Sequence, residues 1–209
     1  MTPSINKRQA LRTIAQAAAT VGVVAIASLN LSGCTEAKPT FNAVDITGAD
    51  YAKDFSLTDA SGRARTMADF KGKVVVLFFG YAQCPDVCPT TMSEMAQVKQ
   101  QLGSDGDKLQ VLFVTVDPER DTPEVMKAYM GAFDPSFLAL IPTPEQLPAL
   151  TKDYKVYYKK VDGKTPTSYS MDHSAASFVY DPQGRLRLYM RYGAGVPAMV
   201  DDIKALLKS

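Results

Sequence analysis

The chain has 209 residues, 46% hydrophobic and 22% charged, enough for one globular domain of roughly 100–150 residues plus a short extra segment. Its 23 Lys and Arg nearly cancel its 22 Asp and Glu, and the formal charge of +1 excludes a global field drawing it to nucleic acid or anionic lipid. Recognition must therefore be local, and three Cys with one His form a short inventory for metal or redox chemistry.

Lys7, Arg8 and Arg12 precede an apolar run over residues 13–31 that ends at Leu31-Ser32-Gly33-Cys34. A basic start, an apolar stretch and small residues before a cut site mark an export signal. The Leu-Ser-Gly-Cys ending resembles a bacterial lipobox, in which Cys34 is lipidated and becomes the mature N-terminus. The alternative is an uncleaved transmembrane helix, because the run approaches the ~20 residues a span requires. Both readings place the folded part outside the cytoplasm, on the periplasmic side, beside a membrane. The expected organisation is a lipoprotein signal peptide over 1–33, a flexible tether over 34–48 and a single domain over 49–209. The tether assignment rests on small, polar, Pro-containing sequence without sustained periodicity.

Within the domain, Phe55-Ser56-Leu57 and the turn at Asp59-Ala60-Ser61-Gly62 predict a small hairpin. Lys73 to Phe79 is a continuous β-rich apolar run, as in a central strand covered on both faces. Met92, Met95, Val98 and Leu102 recur at helical spacing until Gly103. Leu109 to Val116 predicts a second buried strand, followed at once by Asp117-Pro118-Glu119-Arg120-Asp121. Thr122-Pro123-Glu124 opens a helix to about Phe133, with Thr as cap and Pro in the first turn. Another helix follows Thr143-Pro144-Glu145 and leads to Tyr154. Val156 to Lys160 and Ser168 to Met171, around Asp162-Gly163, predict an inserted hairpin. Ser177 to Tyr180 and Leu186 to Arg191, joined at Asp181-Pro182-Gln183-Gly184, make a further hairpin, and Val196 to Leu207 a final helix. This order describes an α/β protein, a mixed central sheet flanked by helices, in the thioredoxin-like layout with an inserted β-hairpin. That layout sets the loop after the first long strand opposite the loop that precedes the last hairpin.

The first of these loops holds Cys84 and Cys88, and the second holds His173. Pro89 is costly in a helix interior, so the regular helix is expected to begin near Cys88 or Pro89. The positive helix end then favours the thiolate form of Cys88, with Cys84 as a second candidate. Two thiolates and one imidazole form a soft, low-coordinate set that suits copper, as Cu(I) or Cu(II). Zinc with the same ligands and a water meets the same ligand types, and a simple disulfide or a pair of buried thiols accounts equally for the cysteines. Asp172 is a candidate partner for the imidazole or a solvent-facing turn residue. Asp117 is a candidate outer-sphere group or a turn residue before Pro. Met92 and Met95 read as packing, and Lys152, Lys155, Lys159 and Lys160 as a solvated face.

The stretch Gly72 to Pro89 with its Cys84-Pro-Asp-Val-Cys88-Pro89 block, then Thr115-Val-Asp117-Pro-Glu-Arg-Asp121-Thr-Pro123, then Asp172-His173 ahead of Phe178-Val-Tyr-Asp-Pro-Gln-Gly184, resembles the Sco/SenC family. The resemblance runs from about Tyr51 to the C-terminus. It implies that Cys84, Cys88 and His173 are copper ligands, with Asp117 in a segment near the site. It implies delivery of copper to the dinuclear centre of cytochrome c oxidase subunit II, with other periplasmic copper chaperones and thiol reductases as further partners. Cys84 and Cys88 would also serve as a redox pair in an alternative role, reduction of the oxidase's copper-site cysteines, and a third reading is a copper or redox sensor. Ordinary thioredoxins separate their thiols by two residues rather than three and carry a Pro where Ser174-Ala175-Ala176-Ser177 has none.

Overall fold

The computed structural model describes residues 39–165 and 168–208; the apolar run and Cys34 lie outside them. Among the described residues no helix is long and apolar enough to cross a membrane.

In chain order the elements are β1 (Val44–Asp45), β2 (Leu57–Asp59), β3 (Ala64–Arg65), β4 (Val74–Gly80), α1 (Val87–Gln101), β5 (Leu109–Thr115) and α2 (Pro123–Gly131). Then follow β6 (Leu138–Ile141), α3 (Leu147–Asp153), β7 (Tyr158–Asp162), β8 (Tyr169–His173), β9 (Ser177–Tyr180), β10 (Leu186–Met190) and α4 (Val196–Leu206). Eight strands form one sheet in the order β1-β10-β9-β4-β5-β6-β2-β3, while β7 and β8 pair only with each other. β4, β5 and β6 run parallel, and β9 lies antiparallel to β4. The continuous apolar runs explain this centre: every residue of β4 and β5 is buried, as strands covered on both faces must be. α1 packs with α4, and α2 lies against β6. This is the thioredoxin-like α/β arrangement. Side chains such as Phe78, Phe79 and Phe113 are wholly buried, each contributing about 1.5–3 kcal/mol of hydrophobic stabilisation.

Two elements differ from the sequence reading. β6 was not anticipated: Leu138-Ala139-Leu140-Ile141 is short and carries one β-branched residue, so its strand character comes from parallel pairing with β5, Leu112 opposite Leu138. The domain also begins earlier than residue 49. Val44 and Asp45 extend the sheet edge beside Tyr189 and Leu188. The backbone N–H groups of Asn42 and Ala43 donate to the buried Asp202 carboxylate at 2.7 and 2.8 Å. A local polar composition suggested a tether because the partner of this segment, a carboxylate on α4, is 160 residues away.

The parallel centre ends where the chemistry collects. The loop after β4, the turn after β5 and the approach to β9 all lie at one edge of the sheet, where α/β proteins build their sites.

Candidate metal centre

β4 ends at Gly80, and residues 81–86 fold over the N-terminus of α1. Gly80 is needed there for space: a Cβ would stand 2.7 Å from Cys88 Sγ and 2.7 Å from Phe113 Cζ. Asp86 occupies the cap position of α1 without a side-chain capping bond. Sulfur takes that place, since the Cys88 N–H donates to Cys84 Sγ at 3.5 Å. Pro89 is tolerated in this first turn because its missing N–H would have no intrahelical acceptor.

The two thiols are unequal. Cys84 is half-buried and Cys88 fully buried, and both are free. The hydrogen bond from the Cys88 side chain, aided by the backbone N–H groups of Asp86 and Cys88 and by His173, pulls the Cys84 thiol down to about 4. Cys88 moves the opposite way, raised first by sharing its proton with Cys84 and then by burial. The sequence points to Cys88 as the thiolate; the fold favours Cys84 instead, because Cys88 is buried and donates to it.

His173 is the last residue of β8 rather than a loop residue. Its Nδ1 lies 2.9 Å from the Ser174 carbonyl oxygen, and its Nε2 lies 3.4 Å from Cys88 Sγ. A carbonyl only accepts, so Nδ1 donates to it, and Nε2 is the ring nitrogen that faces the sulfurs. The Phe78 and Tyr81 rings hold the imidazole edge-on, each 5.9 Å away between centroids. Sγ of Cys84, Sγ of Cys88 and a ring nitrogen of His173 all lie within 4.8 Å of one another. Three ligand atoms bonded at ~2.0–2.3 Å to one ion are ~3.3–4 Å apart, so small side-chain rotations suffice to chelate. Cys84 and His173 line an open cleft of 350 Å³ with Tyr81, Asp86, Met171 and Asp172 among its walls, and Cys88 lies buried behind it. A larger depression of 590 Å³ lies between Thr47–Ala49 and Gly184–Arg187, near the opposite end of β4, and holds no thiol or imidazole.

The two candidate supporting carboxylates fare differently. Asp172 is exposed, pairs with Lys159 in the hairpin register and lines the same cleft as His173, but the Nδ1 partner of the imidazole is the Ser174 carbonyl rather than this carboxylate. Asp117 is buried but touches neither thiol: it accepts from Arg120 Nε and from the Tyr169 hydroxyl, the latter at 2.8 Å. Closer to the cysteines is Asp121, 1% exposed, which accepts from the Ala82 N–H at 3.1 Å and from Thr115 Oγ1. Burial raises its carboxyl above the usual range. Gly80, Tyr81, Arg120, Asp121 and Tyr169 were not singled out from sequence. The one available signal was the charged Asp117–Asp121 block placed directly after a buried strand. All four lysines are exposed, as on a solvated face, with Lys155 lying over the Tyr51 ring and Lys160 over Tyr169 and against Glu119.

The SCO1/SenC family model matches residues 44–208. The chain is 37% identical to the SCO2 homolog, mitochondrial, of Bos taurus over 153 residues, 72% of this chain and 58% of that protein; it thus spans under two thirds of the relative's length. A structure of Bradyrhizobium japonicum ScoI with copper bound is 40% identical with a TM-score of 0.66, covering 72% of this chain and 96% of the other. The solution structures of apo Sco1 from Thermus thermophilus are 38% identical with a TM-score of 0.71, covering 81% and 99%. With its thioredoxin-like sheet and its two-thiol, one-imidazole cluster, this chain belongs to the SCO1/SenC family.

Proposed function

We propose that this chain is a metallochaperone that carries one copper ion on Cys84, Cys88 and His173 and passes it to the dinuclear copper site of cytochrome c oxidase subunit II. The convergence of two sulfurs and one ring nitrogen within 4.8 Å carries this reading. Thiolate and imidazole together suit copper, and the ScoI relative was solved with copper bound. An open cleft with the half-exposed Cys84 on its wall lets an acceptor's ligands approach while the buried Cys88 and His173 still hold the ion. Tethering through a lipidated Cys34, with the domain exported, would keep the cargo at the membrane that houses the oxidase. Periplasmic copper chaperones and thiol reductases are the corresponding suppliers of metal and electrons.

His173→Ala is expected to weaken Cu(I) retention by about 100-fold or more, ~2.8 kcal/mol, while circular dichroism stays native. Equal Cu(I) stoichiometry and affinity in the two proteins, measured by chelator competition, would refute the assignment.

The thiol asymmetry favours a second reading, thiol-disulfide reduction of the oxidase's copper-site cysteines. The Cys84 thiolate would attack the partner disulfide and form a mixed disulfide, expelling one partner thiolate. Cys88 would then resolve it, leaving a Cys84–Cys88 disulfide and a reduced partner. That activity would survive His173→Ala and vanish with either cysteine replaced by Ser.

A further inference from the structure

The hairpin β7–β8 carries His173 yet has little apolar attachment to the domain. Among its ten residues only Met171 is buried, and β7 from Lys159 to Asp162 is exposed. An isolated two-stranded hairpin is marginal in water; Met171, the half-buried Tyr158 and Tyr169 and the rings around His173 seat it on the core, and a polar tie fixes its register against the cysteine loop.

Arg120 supplies that tie. Its guanidinium is largely buried and reaches three segments at once: Nε donates to Asp117, Nη1 donates to Gln83 Oε1 at 3.1 Å in the cysteine loop, and Nη1 donates to the Tyr169 carbonyl at 2.9 Å in β8. The guanidinium carbon also stacks 3.5 Å from the Tyr169 ring centroid and lies 5.8 Å from that of Tyr81, the ring that braces His173. Tyr169 closes the circuit by donating its hydroxyl to Asp117. Nη2 is buried without a hydrogen-bond partner, a cost that a purely structural cation on the surface would avoid. Next along the turn, Asp121 anchors the Ala82 N–H.

We propose that Arg120 is a positioning residue: clasped between Asp117, Gln83 and Tyr169, it registers the hairpin against the cysteine loop and so sets the distance between His173 and the thiols. Only a planar fork can donate in these directions while stacking on a ring; a lysine ammonium cannot. The inference deepens the copper reading but stands on the metal-free geometry, so it can be tested without metal.

The test compares hydrogen exchange in reduced, metal-free wild type, Arg120→Lys and Tyr169→Phe. Arg120→Lys is expected to speed exchange of the β7–β8 amides about 10-fold, leaving β4, β5 and α1 unchanged. Because the chain has a single His, the contacts of its ring protons with Phe78 and Tyr81 can be followed by NMR without ambiguity, and they should weaken in step. Tyr169→Phe keeps the stack and loses only the bond to Asp117, so it should give the same hairpin-confined pattern at about threefold; it decides the matter if the lysine variant does not fold. Hairpin exchange and imidazole contacts that match wild type would overturn the proposal, and so would uniform acceleration across the whole sheet. Cu(I) release to a chelator, expected about 10-fold faster in Arg120→Lys, rests on the copper reading. A wild-type protein that bound no Cu(I) would defeat that reading and leave the exchange result to judge the clasp.

Discussion

At the scale of single residues, the chemistry turns on which sulfur holds the proton. Cys84, in the loop, and Cys88, in the first turn of α1, share one hydrogen-bonding arrangement, yet the half-exposed Cys84 is drawn down to about 4 while the buried Cys88 is raised. Above that value Cys84 is a thiolate; as pH falls through it, the sulfur gains a proton and loses nucleophilicity. Of the two cysteines at the site, iodoacetamide should therefore label Cys84 and not Cys88 in reduced, metal-free protein. The labelling rate should be flat from roughly pH 8 to pH 6 and fall by half near about pH 4. A rate still climbing between pH 7 and pH 9, as for an ordinary thiol of pKa about 8.5, would show that the asymmetry does not operate in solution. Cys84 and Cys88 were identifiable by type and spacing, but their unequal roles depend on burial and on donors that only the folded loop supplies.

At the scale of elements, the end of β4 and the first turn of α1 approach closely at Gly80. Gly80 allows Cys88 Sγ and the Phe113 ring to meet over the strand, where a methyl group would stand 2.7 Å from each. Gly80→Ala is expected to cost about 1–3 kcal/mol through overpacking, lowering the melting temperature by roughly 2–4 °C per kcal/mol. An unchanged thermal transition would mean that Cys88 can swing away into the cleft at no cost. Helices and long strands were legible in the sequence because their signals are local: Thr122 with Pro123 starts α2, and the unbroken apolar runs make β4 and β5. β6 was not, because its four residues become a strand only by lying beside β5. The boundaries of the hairpin shifted by about two residues, which turned His173 from a loop residue into the end of a strand.

At the scale of the whole molecule, one carboxylate ties the start of the described chain to its last helix. Asp202, 2% exposed, accepts hydrogen bonds from Asn42 N, Asn42 Nδ2 and Ala43 N, and β1 follows at the sheet edge beside β10. Bonds to a charged acceptor are worth about 1.5–3 kcal/mol. Asp202→Ala should lower stability by about that amount and speed exchange of the Asn42 and Ala43 amides. Cu(I) affinity should hold, because Asp202 bonds to none of Cys84, Cys88 and His173, and β10 and β9 stand between β1 and β4. Full protection of those two amides in the variant would show that pairing of β1 with β10 is sufficient without the carboxylate.

Sequence by itself determined the ligand types, the order of the central elements and the family resemblance, because each rests on residues that are near neighbours in the chain or on motifs of a few positions. Tertiary structure alone decided the rest: that sulfur and ring nitrogen meet within 4.8 Å, that Asp172 stays exposed while Asp121 is buried beside the cysteine loop, and that Arg120 joins segments from Gln83 to Tyr169. Contacts between residues tens of positions apart leave no periodicity to read. They exist only once the sheet has brought the ends of β4, β5 and β8 to a common edge.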